Sequence, residues 1–275
     1  MSDEAFPNVP RHVRARGEIR ASFALTGKRT SVARVHETGG LRLRFPRVVT
    51  GCEAVIINTG GGIAGGDTYA LQFEAGAGAQ VTLTTQAAEK VYRAQDIAAQ
   101  VDVLLKLGTE SHLEWLPQET ILFAQAALSR TMRVDMPGSA TLTMVECLIF
   151  GRLAMGEASI HAGLRDSWRV HRDGELIFAE ALAMGGHIGA RLNRPALGAG
   201  ARAVATLLHV APDAETKLEV VRKALAEENC EAGASAWNNM LLVRAASLSP
   251  ERLRAVIVAV LQVVRGRDTP RVWQA

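Results

Sequence analysis

The chain has little cysteine, lysine or tyrosine and no long uninterrupted apolar run. Its three cysteines, Cys52, Cys147 and Cys230, stand far apart and form neither a C-x-x-C pair nor a zinc-ligand spacing. No segment approaches the roughly 18 consecutive apolar residues of a membrane span. The stretch Val256 to Val264 is apolar but short, and reads as a packed helix. The start of the chain, Met1 to Arg20, carries prolines and charges without the apolar centre of a secretion signal. An odd cysteine count without such a signal fits a reducing compartment, so the expected location is the cytoplasm. The seven histidines never fall at i, i+4, and neither H-E-x-x-H nor G-x-S-x-G occurs. This argues against a permanent metal site and a serine-hydrolase elbow. Lysine is confined to Lys28, Lys90, Lys106, Lys217 and Lys223, and net charge is only +3. So small and scattered an excess argues against a nucleic-acid partner.

What is present is apolar patterning. Hydrophobic residues make up 48% of the 275 positions and charged residues 21%, enough for a sizeable core. Ala21-Phe23-Leu25, Leu41-Leu43-Phe45, Val81-Leu83 and Val101-Val103-Leu105-Leu107 alternate with polar or small residues, as do the segments around His112–Trp115 and Thr141–Met144. Period-two strands at roughly ten-residue spacing, separated by Gly and Pro, predict a mainly β body. Two helices are predicted near the end. One follows Asp213 as N-cap, with the stripe Leu218, Val221 and Leu225. The other follows Ser249-Pro250, with the stripe Leu253, Val256, Ile257, Val260, Leu261 and Val264, and ends near Gly266. Trp237 to Ala245 between them reads as one strand. With no clear linker, residues 1–275 read as a single domain: a β body over 15–212 and an α/β cap over 213–275.

One run, Asn58-Thr59-Gly60-Gly61-Gly62-Ile63-Ala64-Gly65-Gly66-Asp67, packs five glycines into seven residues. It contains G-x-G-x-x-G after a plausible strand, Ala54 to Ile57. A dinucleotide site needs a helix next, because the pyrophosphate rests on exposed helix N–H groups. Here Tyr69, Leu71 and Phe73 alternate with Thr68, Ala70 and Gln72, which predicts a strand. A P-loop requires Lys-Ser/Thr where the chain has Asp67-Thr68. The run is better read as a tight strand-to-strand bend, with Asp67 either bonding nearby N–H groups or aimed inward.

Several carboxylates sit in apolar or small-residue surroundings: Asp67, Glu146, Glu157 and Glu180. Burying such a group requires a hydrogen bond, water or a cation. Either backbone groups and arginines such as Arg152 satisfy them, or they line a wet passage that holds a divalent ion weakly. Glu114 and Glu119 flank Pro117, and with Glu157 they are candidates for a paired-carboxylate hydrolase in a β-solenoid cleft. The segment Thr84 to Arg93 is dense in polar groups; Glu89 and Lys90 within it are read as part of a binding loop or as a surface ion pair.

Five segments together resemble the urease accessory protein D (UreD, or UreH) family. They are Asn58 to Asp67; Thr84-Thr85-Gln86-Ala87-Ala88-Glu89-Lys90-Val91-Tyr92-Arg93; Leu113-Glu114-Trp115-Leu116-Pro117-Gln118-Glu119-Thr120-Ile121; Phe150-Gly151-Arg152 with Gly156-Glu157; and Pro270-Arg271-Val272-Trp273. They run in the family's order from about residue 15 to the end. Glu89 stands where the family usually has Ser or Thr, and Glu146 where Asp also occurs. The resemblance implies an irregular β-helical, solenoid-like body with C-terminal helices. It implies a non-enzymatic urease maturation chaperone, poorly soluble alone, that acts with UreF-type and UreG-type accessory proteins on the urease apoprotein. A dimeric arrangement inside that complex is left open. The resemblance also implies that no cofactor is tightly held and that nickel is in transit through an internal tunnel, with Asp67, Glu146, Glu180 and Glu157 on its path.

Overall fold

The structure, a computed structural model, describes residues 14–152, 155–157, 160–228 and 230–274. His12 and the charged start of the chain lie outside them. The chain winds back and forth between two sheets. Strand β1 (Arg16–Thr26) forms a hairpin with β2 (Arg29–Thr38), and β3 (Leu41–Arg44) leads into β4 (Cys52–Asn58) of the opposite sheet. From there the path alternates. β5 (Thr68–Ala75) belongs to the first sheet and β6 (Gln80–Thr85) to the second; β8 (Ala99–Leu107) to the first and β9 (His112–Leu116) to the second; β11 (Ala127–Met136) to the first and β12 (Thr141–Phe150) to the second. β13 (His161–Arg172) returns to the first sheet and folds back as β14 (Glu175–His187). Within each sheet successive passes pair in parallel: β1–β5–β8–β11–β13 in one, β4–β6–β9–β12 in the other. This is a β-solenoid. The short strands β7 (Glu89–Val91) and β10 (Thr120–Leu122) line one corner, stacking Ile63, Val91, Leu122 and Phe150 in register.

The glycine run occupies that corner, where the chain leaves β4 for β5. The strand expected after it is β5, so the helix a dinucleotide needs near Gly65 is absent. Gly61, Gly62 and Gly66 have positive φ, and a Cβ on Gly65 would lie 2.5 Å from Ala94 Cα. Turn geometry and close packing both select glycine here.

Antiparallel strands finish the sheets. β15 (Ala203–Val210) pairs with β12, β17 (Met240–Ser247) with β15, and β16 (Glu231–Trp237) with β17. The strand read over Trp237 to Ala245 starts only at Met240, as the second arm of a hairpin with β16. Its turn is Asn238-Asn239, with φ of 50° and 61°. Asparagine is among the residues that most readily adopt this left-handed geometry, which a two-residue type I′ turn requires. β16 and β17 continue the ten-stranded sheet, so the C-terminal segment shares its hydrogen bonding with the body. The first sheet ends in β2 at one edge and β14 at the other.

Between the sheets lies the main core. On β12, Leu142, Met144 and Leu148 face it, whereas Val145 and Cys147 face the opposite side. That outer side is covered by α2 (Leu218–Ala226) and α3 (Pro250–Arg265). All six residues of the predicted α3 stripe are buried. Ser249 Oγ accepts from the Arg252 N–H, and Gly266 closes the helix at φ 62°. Asp213 does not cap α2: its carboxylate takes the Lys217 ammonium at 2.6 Å, and the first turn is a 3-10 turn over Glu215–Lys217. A short helix, α1 (Ile188–Leu192), follows β14.

Candidate functional site

Strand alternation places charge inside the solenoid. On β11 the inward row is Leu128, Arg130, Met132, Val134, Met136; on β13 it is Ala162, Leu164, Asp166, Trp168, Val170. Arg130 and Asp166 are register partners in the parallel ladder. Across the core, Glu146 shares the inward face of β12 with Met144 and Leu148. The three meet. Arg130 Nη1 lies 2.8 Å from Glu146 Oε1; Nη2 lies 2.5 Å from Asp166 Oδ2, and Nε donates to Asp166 Oδ1 at 3.2 Å. Thr120 Oγ1 accepts from Arg130 Nη1 and donates to Glu146 Oε1, both at 3.2 Å.

The cluster is buried: Arg130 is 8% exposed, Glu146 3% and Asp166 6%. Burial pushes the Glu146 carboxyl up to about 7, against the pull of Arg130, and the neighbouring Asp166 charge adds to the rise. Burial also works against the Arg130 charge, but the two carboxylates overcome it and hold the guanidinium protonated. Glu146 Oε2 has no hydrogen-bond partner. An unsatisfied buried carboxylate oxygen is costly, and its presence calls for explanation.

Two cavities meet at this cluster. An open one of about 500 Å³ has Glu146 and Asp166 at its inner end, with Glu180, Thr206, Glu231 and Arg244 among its walls. Glu180 is paired with Arg244. A small interior one of about 70 Å³ lies on the other side, walled by Arg130, Thr120, Trp115, Tyr69, Asn58 and Glu89. Both carboxylate oxygens of Glu89, on β7, accept from Asn58 Nδ2, at 3.1 and 3.3 Å. Burial raises its carboxyl to about 7. The expected alternative of a surface ion pair between Glu89 and Lys90 is not what forms.

The sequence-derived carboxylates separate into groups. Glu146 and Glu180 line the same cavity. Asp67 does not line either one: Oδ1 accepts from the Ala15 N–H at 2.8 Å and Oδ2 from the Ala64 N–H at 2.7 Å, so it ties the glycine turn to β1. Glu157 is clamped by Arg152, 2.5 Å away, and this pairing lowers its carboxyl below the usual range. Glu114 and Glu119 lie on the covered outer side, not in an open cleft. Arg265 and Arg267 hold Glu114 at 2.8 and 3.0 Å, and Arg254 holds Glu119 at 2.7 Å. The paired-carboxylate arrangement of a hydrolase therefore does not form from them. Among the described residues, no three His, Cys, Asp or Glu side chains are grouped for a metal ion.

Sequence reasoning missed Arg130 and Asp166, and reached Thr120 only as a position within the Leu113 to Ile121 motif. The signal was there: a charge at an inward position of two otherwise apolar alternations, of opposite sign on β11 and β13.

The UreD urease accessory protein family matches residues 15–274. The chain belongs to the UreD family. Curated UreD proteins are similar along nearly their whole length. That of Beijerinckia indica subsp. indica is 50% identical over 262 residues, covering 94% of this chain and 97% of its own. The UreD of Xanthobacter autotrophicus is 45% identical, covering 99% and 96%. That of a Methylobacterium species is 43% identical and covers both chains completely. All three are named urease accessory proteins. The UreD motifs read in the sequence converge in space. Pro270–Trp273 folds onto the Trp115–Gln118 segment, with Trp273 Nε1 donating to Leu116 O and Gln118 Nε2 to Val272 O. No helix of this UreD chain is long and apolar enough to cross a membrane, among the described residues.

Proposed function

We propose that the chain serves urease maturation without turnover, as a scaffold that joins UreF-type and UreG-type partners to the urease apoprotein in the cytoplasm and conducts nickel through its interior. The observation that carries this reading is the 500 Å³ cavity lined by Glu180, Asp166 and Glu146, whose inner oxygen, Glu146 Oε2, has no protein partner. Carboxylate oxygens hold a divalent ion without the tight, soft-ligand grip of thiolates or clustered imidazoles. Weak binding suits cargo that must leave again. The path is assigned to Glu180, Asp166 and Glu146, which line the large cavity; Asp67 and Glu157 line neither cavity and are assigned to fixing the turns around them, through backbone N–H groups and Arg152.

The test is Glu146→Gln combined with Glu180→Gln, both of which keep side-chain volume. Metal analysis of urease purified from cells carrying the double variant is expected to show a several-fold fall in nickel, with the accessory complex still recovered intact. Urease fully loaded with nickel in that strain overturns the proposal.

A further inference from the structure

We propose that Arg130 is a displaceable counter-ion: a divalent cation takes Glu146 and Asp166 from it, and its return expels the cation. This rests on the passage reading above and concerns how the path opens.

Arg130 separates the two cavities. It lines the small one, and the two carboxylates it holds line the large one. A permanent structural arginine would be expected to satisfy its partners completely. Here the guanidinium uses its fork on Asp166 but reaches only one oxygen of Glu146, and Oε2 of that buried side chain remains unpaired. Whenever Glu146 is ionised, one arginine facing two carboxylates leaves a net charge of −1 in a low-dielectric interior, where uncompensated charge is expensive. A divalent cation at the same oxygens brings the local sum to zero. A monovalent ion brings no more charge than Arg130 does and lacks its directed hydrogen bonds. The arrangement therefore selects by charge and keeps the path closed to the abundant monovalent cations.

Displacement also needs somewhere for the guanidinium to go. The 70 Å³ cavity lies on its other side, roomy enough for a few waters. Thr120 Oγ1 already accepts from Nη1 in that direction. Glu89 stands in the same wall, bonded to the neutral Asn58 amide and without a cationic partner among the described residues. Withdrawal past Thr120 toward Glu89 exchanges one carboxylate environment for another, so the arginine is not stranded. Its return makes metal binding transient.

The experiment measures Ni2+ binding by equilibrium dialysis against the purified accessory complex, with wild-type, Arg130→Met and Arg130→Lys chains. Met removes the competing charge; Lys keeps the charge but loses the bidentate fork. Expected is retention of about one Ni2+ per chain for R130M, on the order of tenfold tighter than wild type, with R130K between them. The gain is expected to vanish when Glu146→Gln is added to either. R130M leaves two buried carboxylates unpaired and can fail to assemble; R130K then carries the comparison. Assembled variants that bind Ni2+ no better than wild type overturn the inference, as does a gain that survives E146Q. If those results occur while E146Q with E180Q still lowers urease nickel, the counter-ion role falls and the passage stands. If that double variant leaves urease nickel unchanged, the passage reading falls.

Discussion

Glu89 is held by an amide rather than by a cation, and this has a pH signature. Its carboxyl titrates near 7 in the folded chain, raised by burial from an ordinary value of 4.5. Below that ordinary value the group is protonated in both folded and unfolded chains and contributes nothing. Between 4.5 and 7 the folded state binds more protons, so stability falls as pH rises. Glu89→Gln removes this loss. Thermal unfolding of complexes purified with each chain is expected to show the variant gaining stability over wild type from pH 5 to pH 8, by on the order of 2 kcal/mol. A pH-independent difference would refute the assignment. Glu114 behaves in the opposite way. Burial alone would raise its carboxyl, but hydrogen bonds from His112 and Arg265 and the charges of Arg265 and Arg267 hold it far below the usual range. Its contribution is present above the unfolded value and is lost only as pH falls through the strongly acid range. Because Glu114 is 1% exposed and Arg265 nearly as enclosed, Glu114→Gln leaves a buried guanidinium short of charge. About 3–5 kcal/mol of destabilisation is expected in denaturant unfolding.

At the scale of the element, the glycine corner separates two uses of one residue type. Gly61 has φ 72° and open space around it, whereas a Cβ added to Gly65 would come within 2.8 Å of the backbone of Ala94 and Ile97. Gly61→Ala is expected to cost about 1 kcal/mol through its backbone angle alone. Gly65→Ala must move a neighbouring strand connection and is expected to cost about 2–3 kcal/mol. Equal melting-temperature losses for the two would contradict this account. The strands on either side were legible because each alternates inward apolar with outward polar residues. So was α3, because Ser249, Pro250 and Gly266 mark its ends. The Asn238-Asn239 hairpin was not legible: the pair lacks the Gly that usually marks a two-residue turn, and the alternation continues across it.

Across the whole molecule, what one sequence conveys least is which strands are neighbours. Tyr69, Val101, Arg130 and Asp166 stand side by side in the first sheet, though roughly thirty residues of chain separate each from the next. No local pattern reports that stacking. The β-helical body entered through the family resemblance, and the interior site was only half visible for the same reason. Glu146 and Glu180 stood out as carboxylates in apolar strands, but their shared cavity and Arg130 between Glu146 and Asp166 exist only once the passes are stacked. The two ends of the first sheet also differ. The edge strand β2 carries Arg29, Arg34, His36 and Glu37, the kind of charge that discourages another strand from adding on. After Glu175 at its start, the edge strand β14 runs Ala179-Glu180-Ala181-Leu182-Ala183-Met184-Gly185-Gly186, and the one charge of that run is drawn off by Arg244. A stack of parallel passes is also a growth surface, and this one has a direction. Incoming chain meets a row of charged side chains at β2 and far fewer at β14, so the regularity that builds the solenoid also makes its two ends unequal as places for another strand to add.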